Sequence, residues 1–169
     1  MNYTDEKIVG LDFNPFSKIG SSWALLGVTS GEERNAMTVS WGQVGVLWNK
    51  PIFTVYVRPT RHTYEILEKT DIATLSFFDE SMKKTLSYFG RTSGRDEDKL
   101  TVSGLSFHAE SGALLFDDAT LTLVGKKLYH SDIDPRHFWD STIDSNYSDD
   151  YHREYVFEIT DIKKGNVAE

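Results

Sequence analysis

The chain contains no cysteine in its 169 residues. Disulfide bonds, thiolate catalysis, zinc–thiolate centres and iron–sulfur clusters are therefore excluded. A run of about 18 apolar residues, the length that a membrane-spanning helix needs, is also missing. The N-terminal sequence is polar and acidic and lacks the cationic and then apolar pattern of a signal peptide. We therefore expect a cytoplasmic protein with no membrane partner.

Several catalytic and binding motifs are absent as well. No glycine-rich fingerprint follows the first strands, so the sequence supports neither a Rossmann nor a P-loop phosphate site. No Gly-x-Ser-x-Gly elbow occurs, which argues against a serine hydrolase. His137 and His152 flank a tyrosine-rich region and could line a pocket, although we expect them to be solvated loop residues. We predict no metal site, because no compact metal-ligand spacing occurs among the five histidines, which are His62, His108, His130, His137 and His152.

The chain has fewer basic than acidic residues. The chain has 18 Lys and Arg residues against 26 Asp and Glu residues, which gives a formal net charge of -8. Nucleic-acid-binding proteins usually present a basic face, so we expect no nucleic-acid partner. With a hydrophobic fraction of 39%, the chain can form a buried core, and its length is sufficient for one domain but short for two. We therefore predict a single domain over residues 1–169. Because the chain as a whole is acidic, a local cluster of cationic residues calls for a local explanation, such as an anion-binding site.

Strand patterns dominate the chain. In residues 36–42, apolar and hydroxylated side chains alternate, and the polar residues 31–35 before them predict a hairpin turn. Many strands with few helices are typical of a closed or nearly closed β-barrel, so the predicted fold is mainly β. Segment 132–151, rich in Asp, Ser and aromatics, is predicted to be a long surface excursion. We predict strands at 22–30, 36–42, 51–57, 72–78, 114–116, 120–129 and 155–162, with short helices at 63–69 and at 82–89, the latter ended by Gly90.

The most informative segment runs from Arg58 to Tyr64 and reads Arg-Pro-Thr-Arg-His-Thr-Tyr. It lies between a predicted strand and a predicted helix, where free backbone N–H groups and the helix dipole favour an anion. Arginine adds a planar set of donors for phosphate oxygens, and the threonine hydroxyls add neutral donors. The segment therefore indicates a phosphate-bearing cofactor, with a solvated helix cap as the alternative.

Residues 35–41 form a second candidate segment. They begin with a loop asparagine and continue with small and hydroxylated residues at a strand edge. Peptide groups and side chains there could bind a flat heteroaromatic ring, and an ordinary hairpin strand is the alternative. Among the tryptophans, Trp41 is the candidate for ligand contact and Trp139 for a lid.

Residues 90–99 form the third candidate segment. Two glycines allow close backbone approach, and the cations that follow, including Arg95 and Lys99, could make this turn accept an anion. The alternative is a solvated turn whose cations pair with the acidic residues 96–98.

Taken in order, the segments 35–41, 58–64 and 89–99 resemble the flavin reductase-like, FMN-binding split-barrel family, close to its flavoredoxin-type branch. The resemblance implies a Greek-key split barrel with short helices, and a homodimer that holds FMN at the subunit interface. The first segment would run along the isoalloxazine ring and ribityl chain, and the second would hold the phosphate with the third nearby. The implied cofactor-binding residues are Asn35, Ala36, Met37, Thr38, Ser40, Trp41, Arg58, Arg61, His62, Thr63, Tyr64, Ser93, Arg95 and Lys99.

The resemblance also implies a function, that of an NAD(P)H-dependent flavin reductase that passes electrons through bound FMN to a small-molecule acceptor. Because the flavin performs the redox step, we assign no catalytic side chain. Two features depart from the family pattern. Phe89 stands where many relatives have cysteine, and segment 132–151 matches no part of the pattern.

Three alternatives remain open at this stage. The first is a flavin-binding protein or electron carrier without nicotinamide turnover, whose phosphate segments would look the same. The second is an enzyme like pyridoxamine-phosphate oxidase, although the sequence holds no further cluster for a substrate phosphate. The third is a β-barrel interaction domain without flavin.

Overall fold

Nine strands and four short α-helices make up the part of the chain that the computed structural model describes, residues 1–165. The strands are β1 (Ala24–Ser30), β2 (Glu33–Val39), β3 (Gly42–Leu47), β4 (Lys50–Val57), β5 (Ile72–Phe77), β6 (Phe107–Glu110), β7 (Ala113–Phe116), β8 (Leu121–Asp132) and β9 (Arg153–Lys164). The helices are α1 (Glu6–Val9), α2 (His62–Leu67), α3 (Lys83–Arg91) and α4 (Lys99–Ser103), with a π-helical turn at Phe16–Ser21. Within residues 1–165, no helix is both long and apolar enough to cross a membrane.

Seven strands form one antiparallel sheet that curls around the main core. Their order is β2-β1-β5-β8-β9-β4-β3, and β6 pairs with β7 in a separate hairpin. Buried side chains from six of the seven strands belong to a single cluster, which includes Met37 near one end of the sheet and Val55 near the other. The two ends therefore approach each other around a shared core. The fold is a mainly β split barrel with short helices, which confirms the predicted fold class.

A second apolar cluster lies on the outer side of β1 and β2. Leu86 and Phe89 of α3 and Leu100 of α4 belong to this cluster together with Leu25 of β1. The hydroxyl of Thr38 on β2 also donates a hydrogen bond to the carbonyl of Leu86. This packing brings the end of α3 and the start of α4 beside β2.

The sequence prediction misses strand β3 and its hairpin with β4. β3 is an edge strand with two glycines and mostly exposed side chains, so the alternation of a half-buried strand is weak there. Its turn to β4 consists of Trp48 and Asn49, both with positive φ, and lacks the Asn-Gly signal of a two-residue hairpin. The elements β6, α1 and α4 also escape the sequence patterns because each has five residues or fewer.

Several predicted boundaries are shifted in the structure, and the strand predicted over 36–42 ends at Val39, so that Trp41 lies after it. β2 begins at Glu33, so Asn35 lies buried within a strand and not in a loop. The helix predicted to end at Gly90 continues to Arg91, and the N–H of Thr92 still bonds to a carbonyl one turn earlier. A glycine inside a helix costs only about 1 kcal/mol relative to alanine, so it does not by itself end the helix.

Segment 132–151 runs over the surface, as predicted. β8 ends at Asp132, and two 3₁₀ turns follow at Pro135–His137 and Ser141–Asn146. Most side chains of the segment are exposed, and the candidate lid residue Trp139 is fully exposed.

Candidate functional site

Strand β2 lies at one end of the sheet and pairs only with β1. In an antiparallel strand, every second residue directs its N–H and C=O away from the paired neighbour, so the free side of β2 offers backbone donors and acceptors. The strand leads directly into Ser40 and Trp41, which are both exposed. This edge can therefore bind a flat polar ring through peptide groups.

A cavity of about 140 Å³ lies beside this edge, and we call it the edge cavity. It brings together six of the predicted site residues, which come from two segments of the chain that the fold places side by side. Three residues outside the predicted set complete it, namely Val39, Tyr56 and His152. The predicted residues that line it are Met37, Thr38, Ser40, Trp41, Arg58 and Arg61.

Two cationic side chains converge on the end of α3 next to β2. Arg61 donates from Nη1 to the Gly90 carbonyl at 2.9 Å and from Nη2 to the Phe89 carbonyl at 3.3 Å. Lys99 is only 2% exposed, and its Nζ donates to the same Phe89 carbonyl at 3.1 Å. Within residues 1–165, no carboxylate forms an ion pair with either cation.

The pKa values of this pair reflect the lack of a carboxylate partner. Burial, and then the charge of Arg61, lower the pKa of Lys99 to about 8. Burial, and then the charge of Arg58, lower the pKa of Arg61. Each charged form is thus disfavoured by desolvation and by a like charge, and an anion such as a phosphate group would relieve both effects.

Arg58 lines the same cavity but has a different environment. Its Nη1 forms an ion pair with Asp150 at 2.5 Å, and its Nη2 donates to the Asn146 carbonyl at 2.8 Å. The guanidinium also lies 5.1 Å from the centre of the Tyr147 ring, within the range of a cation–π contact. Arg58 therefore fastens segment 132–151 to the barrel, and Asp150 already neutralises its charge.

Tyr56 and His152 line the cavity although neither belongs to the predicted cofactor-binding set; for His152, the sequence offered a pocket position as the less favoured alternative. The expectation that His152 is a solvated loop residue is wrong, because it is 8% exposed and its Nδ1 lies 3.0 Å from the Tyr147 hydroxyl. Its ring centre is 5.2 Å from that of Trp41. Burial, and then the charge of Arg58, lower the pKa of His152 to about 4, so its imidazole is neutral near pH 7. The sequence signal for a pocket position was its place beside the tyrosine-rich region.

Four other predicted residues line a separate polar cavity of about 390 Å³, which we call the loop cavity. Glu65 neutralises one of its cations, because its carboxylate lies 2.5 Å from Nη2 of Arg95. Arg95 also donates to the carbonyl of Thr60 at 2.8 Å. Arg95 is therefore a surface cation paired with a carboxylate, as in the alternative given for segment 90–99, although its partner lies on α2 and not among the acidic residues 96–98. The four predicted residues that line the loop cavity are Asn35, His62, Arg95 and Lys99.

The last four predicted residues line neither cavity and make contacts within the fold. Thr63 is fully buried and accepts a hydrogen bond from the side-chain amide of Asn35 at 2.9 Å. Tyr64 packs edge-on against a tyrosine ring of β9, and Ala36 belongs to the outer apolar cluster. The hydroxyl of Ser93 accepts a backbone N–H of its own turn at 3.2 Å. Their contact with a cofactor stays a prediction.

The histidines do not gather at one place. His62 and His152 line different cavities, and His108 contacts Asp117 at the surface, with 3.0 Å between Nδ1 and the carboxylate. In the described part of the chain, no group of three or more His, Asp or Glu side chains is arranged to hold a metal ion.

Comparison with protein families matches most of this chain to a known domain. The family model described as "Flavin reductase like domain" matches residues 16–162, which is most of the chain. The chain belongs to the flavin reductase-like family. The match contains every residue that lines the edge cavity, so this cavity lies within the flavin reductase-like domain. No curated protein matches the sequence.

Solved structures of several proteins share the flavin reductase-like fold of this chain. An FMN-binding protein from Thermus thermophilus with bound p-hydroxybenzaldehyde is 20% identical with a TM-score of 0.68, and the match covers 86% of this chain and 73% of that one. A flavoredoxin from Methanosarcina acetivorans is 22% identical with a TM-score of 0.66, over 86% of this chain and 69% of that one. A flavin reductase domain protein from Arthrobacter sp. FB24 is 14% identical with a TM-score of 0.64, over 86% and 77%. At these identities, the likeness shows the split-barrel fold alone.

Proposed function

We propose that this flavin reductase-like chain binds FMN, with Arg61 and Lys99 at the phosphate and the β2 edge as far as Trp41 at the isoalloxazine ring. The observation that carries the proposal is the pair of cations, the buried Lys99 and the half-buried Arg61, that has no carboxylate partner in residues 1–165. A phosphate dianion would supply the missing negative charge through charge-assisted hydrogen bonds, which are the strong kind. The names of two similar structures, an FMN-binding protein and a flavoredoxin, support the same cofactor.

When bound, FMN would supply the two-electron redox chemistry. The roles of the chain's own residues are to bind and to orient. Peptide groups on the free side of β2 would hold the polar edge of the ring, and Tyr56 lines the same cavity. His152 is neutral near pH 7 and therefore adds no charge to that wall. Arg58, which lines the cavity, holds segment 132–151 through Asp150 and Asn146.

We further propose that the protein is an oxidoreductase that accepts electrons from NADH or NADPH and passes them to a small-molecule acceptor. The family description, flavin reductase-like, supports this activity. The residues that line the edge cavity include no carboxylate that could act as a general base. Such a lining suits hydride transfer, which needs no acid or base on the protein.

The visible absorption spectrum of the purified protein tests the cofactor, and oxidation of NADH and NADPH tests the activity. We expect bands of oxidised flavin, or their appearance in equimolar amount on addition of FMN. We also expect nucleotide oxidation above the rate of free FMN. A colourless protein that takes up no FMN contradicts the cofactor, whereas a flavin-loaded protein that oxidises neither nucleotide contradicts only the reductase activity.

A second function is favoured by the anchoring of segment 132–151. Arg58 contacts this segment at Asp150, Asn146 and Tyr147, next to the edge cavity, and so restricts the approach of a bulky donor. With such restricted access the protein would carry electrons on FMN without nicotinamide turnover. Retention of FMN through gel filtration, with reduction by dithionite but not by NADH or NADPH, would favour this function.

We also propose that two copies of the chain form a homodimer, with FMN close to the interface. The edge strand β3 and its turn expose Val46, Leu47 and Trp48, and Trp48 contacts the exposed ring of Tyr129. An unpaired strand edge with exposed apolar side chains is prone to pair with another chain. β3 begins directly after Trp41, so a partner on this strand would lie near the edge cavity.

A further inference from the structure

A larger cavity, which we call the apolar cavity, adjoins the edge cavity. Its volume is about 540 Å³, which is within the usual range of small-molecule sites. One wall comes from the π-helical turn Phe16–Ser21 and the proline before it, and the other from the link between β2 and β3 together with the first residues of β3. π-helical turns are rare and often occur at functional sites.

The residues that line the apolar cavity carry no charge. Four large apolar side chains contribute most of its surface, and two uncharged polar side chains, Ser40 and Gln43, lie among them. The edge and loop cavities, in contrast, both contain cationic side chains. An ion in the apolar cavity would lose its hydration without gaining a partner, so the cavity selects an uncharged ligand. The four apolar side chains are Phe16, Ile19, Trp41 and Val44; proline and glycine residues complete the lining.

Two features connect the apolar cavity to the proposed flavin site. Ser40 and Trp41 line both cavities. Gln43 of the apolar cavity donates from Nε2 to the hydroxyl of Tyr56, which lines the edge cavity, at 2.9 Å. Arg61, at the proposed phosphate end, lines only the edge cavity. A ligand in the apolar cavity would therefore lie next to the part of the site proposed for the isoalloxazine ring.

We propose that the apolar cavity binds the ring of an uncharged aromatic compound with one or two oxygen substituents. Trp41 and Phe16 would contact the ring, and Ser40 and Gln43 would hydrogen bond to the oxygens. The assignment rests on the proposed function in one respect, because the aromatic compound is taken to be a hydroquinone, formed when the corresponding quinone accepts two electrons and two protons from reduced FMN, which is thereby oxidised. The cavity offers no cation to the pyrophosphate of a nicotinamide dinucleotide, so we assign it to the electron acceptor.

Calorimetric titration of the FMN-saturated protein tests the proposal, with 2-naphthol as the uncharged probe and 2-naphthoate as the charged control. Both probes have the same ring system, and 2-naphthol has one hydroxyl group. We expect saturable binding of 2-naphthol and at least roughly tenfold weaker binding of 2-naphthoate, because the cavity offers no partner for a carboxylate.

A matched pair of variants locates the binding. A Cβ built at Gly20, which lines the cavity, has no atom within 4 Å, so a side chain can be added there without a clash at Cβ, and we expect the ring of Gly20→Phe to occupy part of the cavity. We expect it to weaken 2-naphthol binding by roughly tenfold or more, while FMN affinity stays within about twofold. Ser17→Phe adds the same ring to an exposed position on the same turn, outside the lining, and should leave the binding of 2-naphthol unchanged.

Three results overturn the proposal. The first is no binding of 2-naphthol by a protein that binds FMN, and the second is equal binding by the Gly20→Phe variant. The third is that 2-naphthol binds to the flavin-free protein and is displaced when FMN is added, because the apolar cavity would then be part of the flavin site itself. A separate absorption titration with FMN distinguishes failure of the proposed function from failure of this proposal. If the protein takes up no FMN but binds 2-naphthol, and Gly20→Phe removes that binding, the result supports the ring site and contradicts FMN as the cofactor.

Discussion

Arg58 and Arg61 lie three positions apart, yet their partners give them different capacities for binding an anion. The guanidinium of Arg58 is paired with Asp150, whereas Arg61 donates only to two carbonyls at the end of α3. A phosphate at Arg58 would have to displace a carboxylate, and a phosphate at Arg61 would not. We therefore expect Arg61 to be the main arginine at the FMN phosphate.

Substitution of each arginine by alanine tests this difference. We expect Arg61→Ala to weaken FMN binding by about ten- to a hundredfold, because a hydrogen bond to a charged group contributes about 1.5–3 kcal/mol. Arg58→Ala should weaken it less, because Asp150 already offsets its charge. Fluorescence titration measures both affinities. Riboflavin, which has no phosphate, is the control, and its affinity should be nearly equal in the two variants. A larger loss of FMN affinity in Arg58→Ala would place the phosphate at Arg58 instead.

Lys99 should make FMN binding depend on pH. Its pKa in the free protein is lowered to about 8, and a bound phosphate would raise this pKa again. Binding above pH 8 therefore requires the uptake of a proton, and FMN affinity should fall by up to about tenfold for each further pH unit. Titrations between pH 7 and pH 9.5 measure this fall.

Lys99→Arg is the matched variant for this prediction, because arginine stays charged throughout that range. Its FMN affinity should be nearly independent of pH, and riboflavin binding to the unaltered protein should also show no fall. An equal decline in the Lys99→Arg variant would mean that Lys99 does not contact the phosphate.

At the scale of elements, segment 132–151 is connected to the barrel through a small number of side-chain contacts. Most of its residues are exposed, and one link is the ion pair between Asp150 and Arg58, the residue directly after β4. The aromatic contact between Tyr147 and His152 adds a second link, at 5.4 Å between ring centres. The mobility of the segment next to the edge cavity should therefore depend on Asp150.

Asp150→Asn should loosen this segment without unfolding the barrel. We expect several-fold faster hydrogen–deuterium exchange over residues 140–150, while global stability falls by no more than about 1 kcal/mol, because the ion pair is partly exposed. Asp149→Asn is the control, since Asp149 is exposed, has a positive φ that asparagine tolerates, and does not pair with Arg58. Equal exchange in the two variants would show that the ion pair does not hold the segment.

At the scale of the whole molecule, the two ends of the sheet have different surroundings. β2 is covered on its outer side by α3 and α4, whereas the apolar side chains of β3 and its turn are exposed. A second copy of the chain on β3 would remove these side chains from water and would pair the free strand edge. FMN near such an interface would link cofactor binding to dimer stability.

Val46→Lys on β3 should convert the dimer into a monomer. A lysine in the centre of an apolar interface would bury an unpaired charge, which opposes association strongly. Size-exclusion chromatography with light scattering measures the mass. Val102→Lys is the matched control, because Val102 on α4 has the same exposed fraction as Val46, 59%, and lies away from β3. A monomeric native protein, or a dimer unaffected by Val46→Lys, would contradict the β3 interface.

The sequence by itself determined the chemistry that is possible and the class of fold. The absence of cysteine excludes thiol and iron–sulfur chemistry, and the strand patterns predict most of the sheet because alternation and turn residues are local signals. The cationic segment 58–64 was recognisable for the same reason, since its residue types lie next to one another in the chain. Weak local signals, such as those of β3, were lost.

Only the tertiary structure decided which cations are free to bind an anion. Asp150 reaches Arg58 from 92 positions away, and Lys99 is buried beside Arg61 by the packing of α3 and α4 on β2. The neutral His152 of the edge cavity likewise owes its lowered pKa to burial and to Arg58. Burial and ion pairing arise from contacts between distant parts of the chain, so no local pattern of residues can predict them.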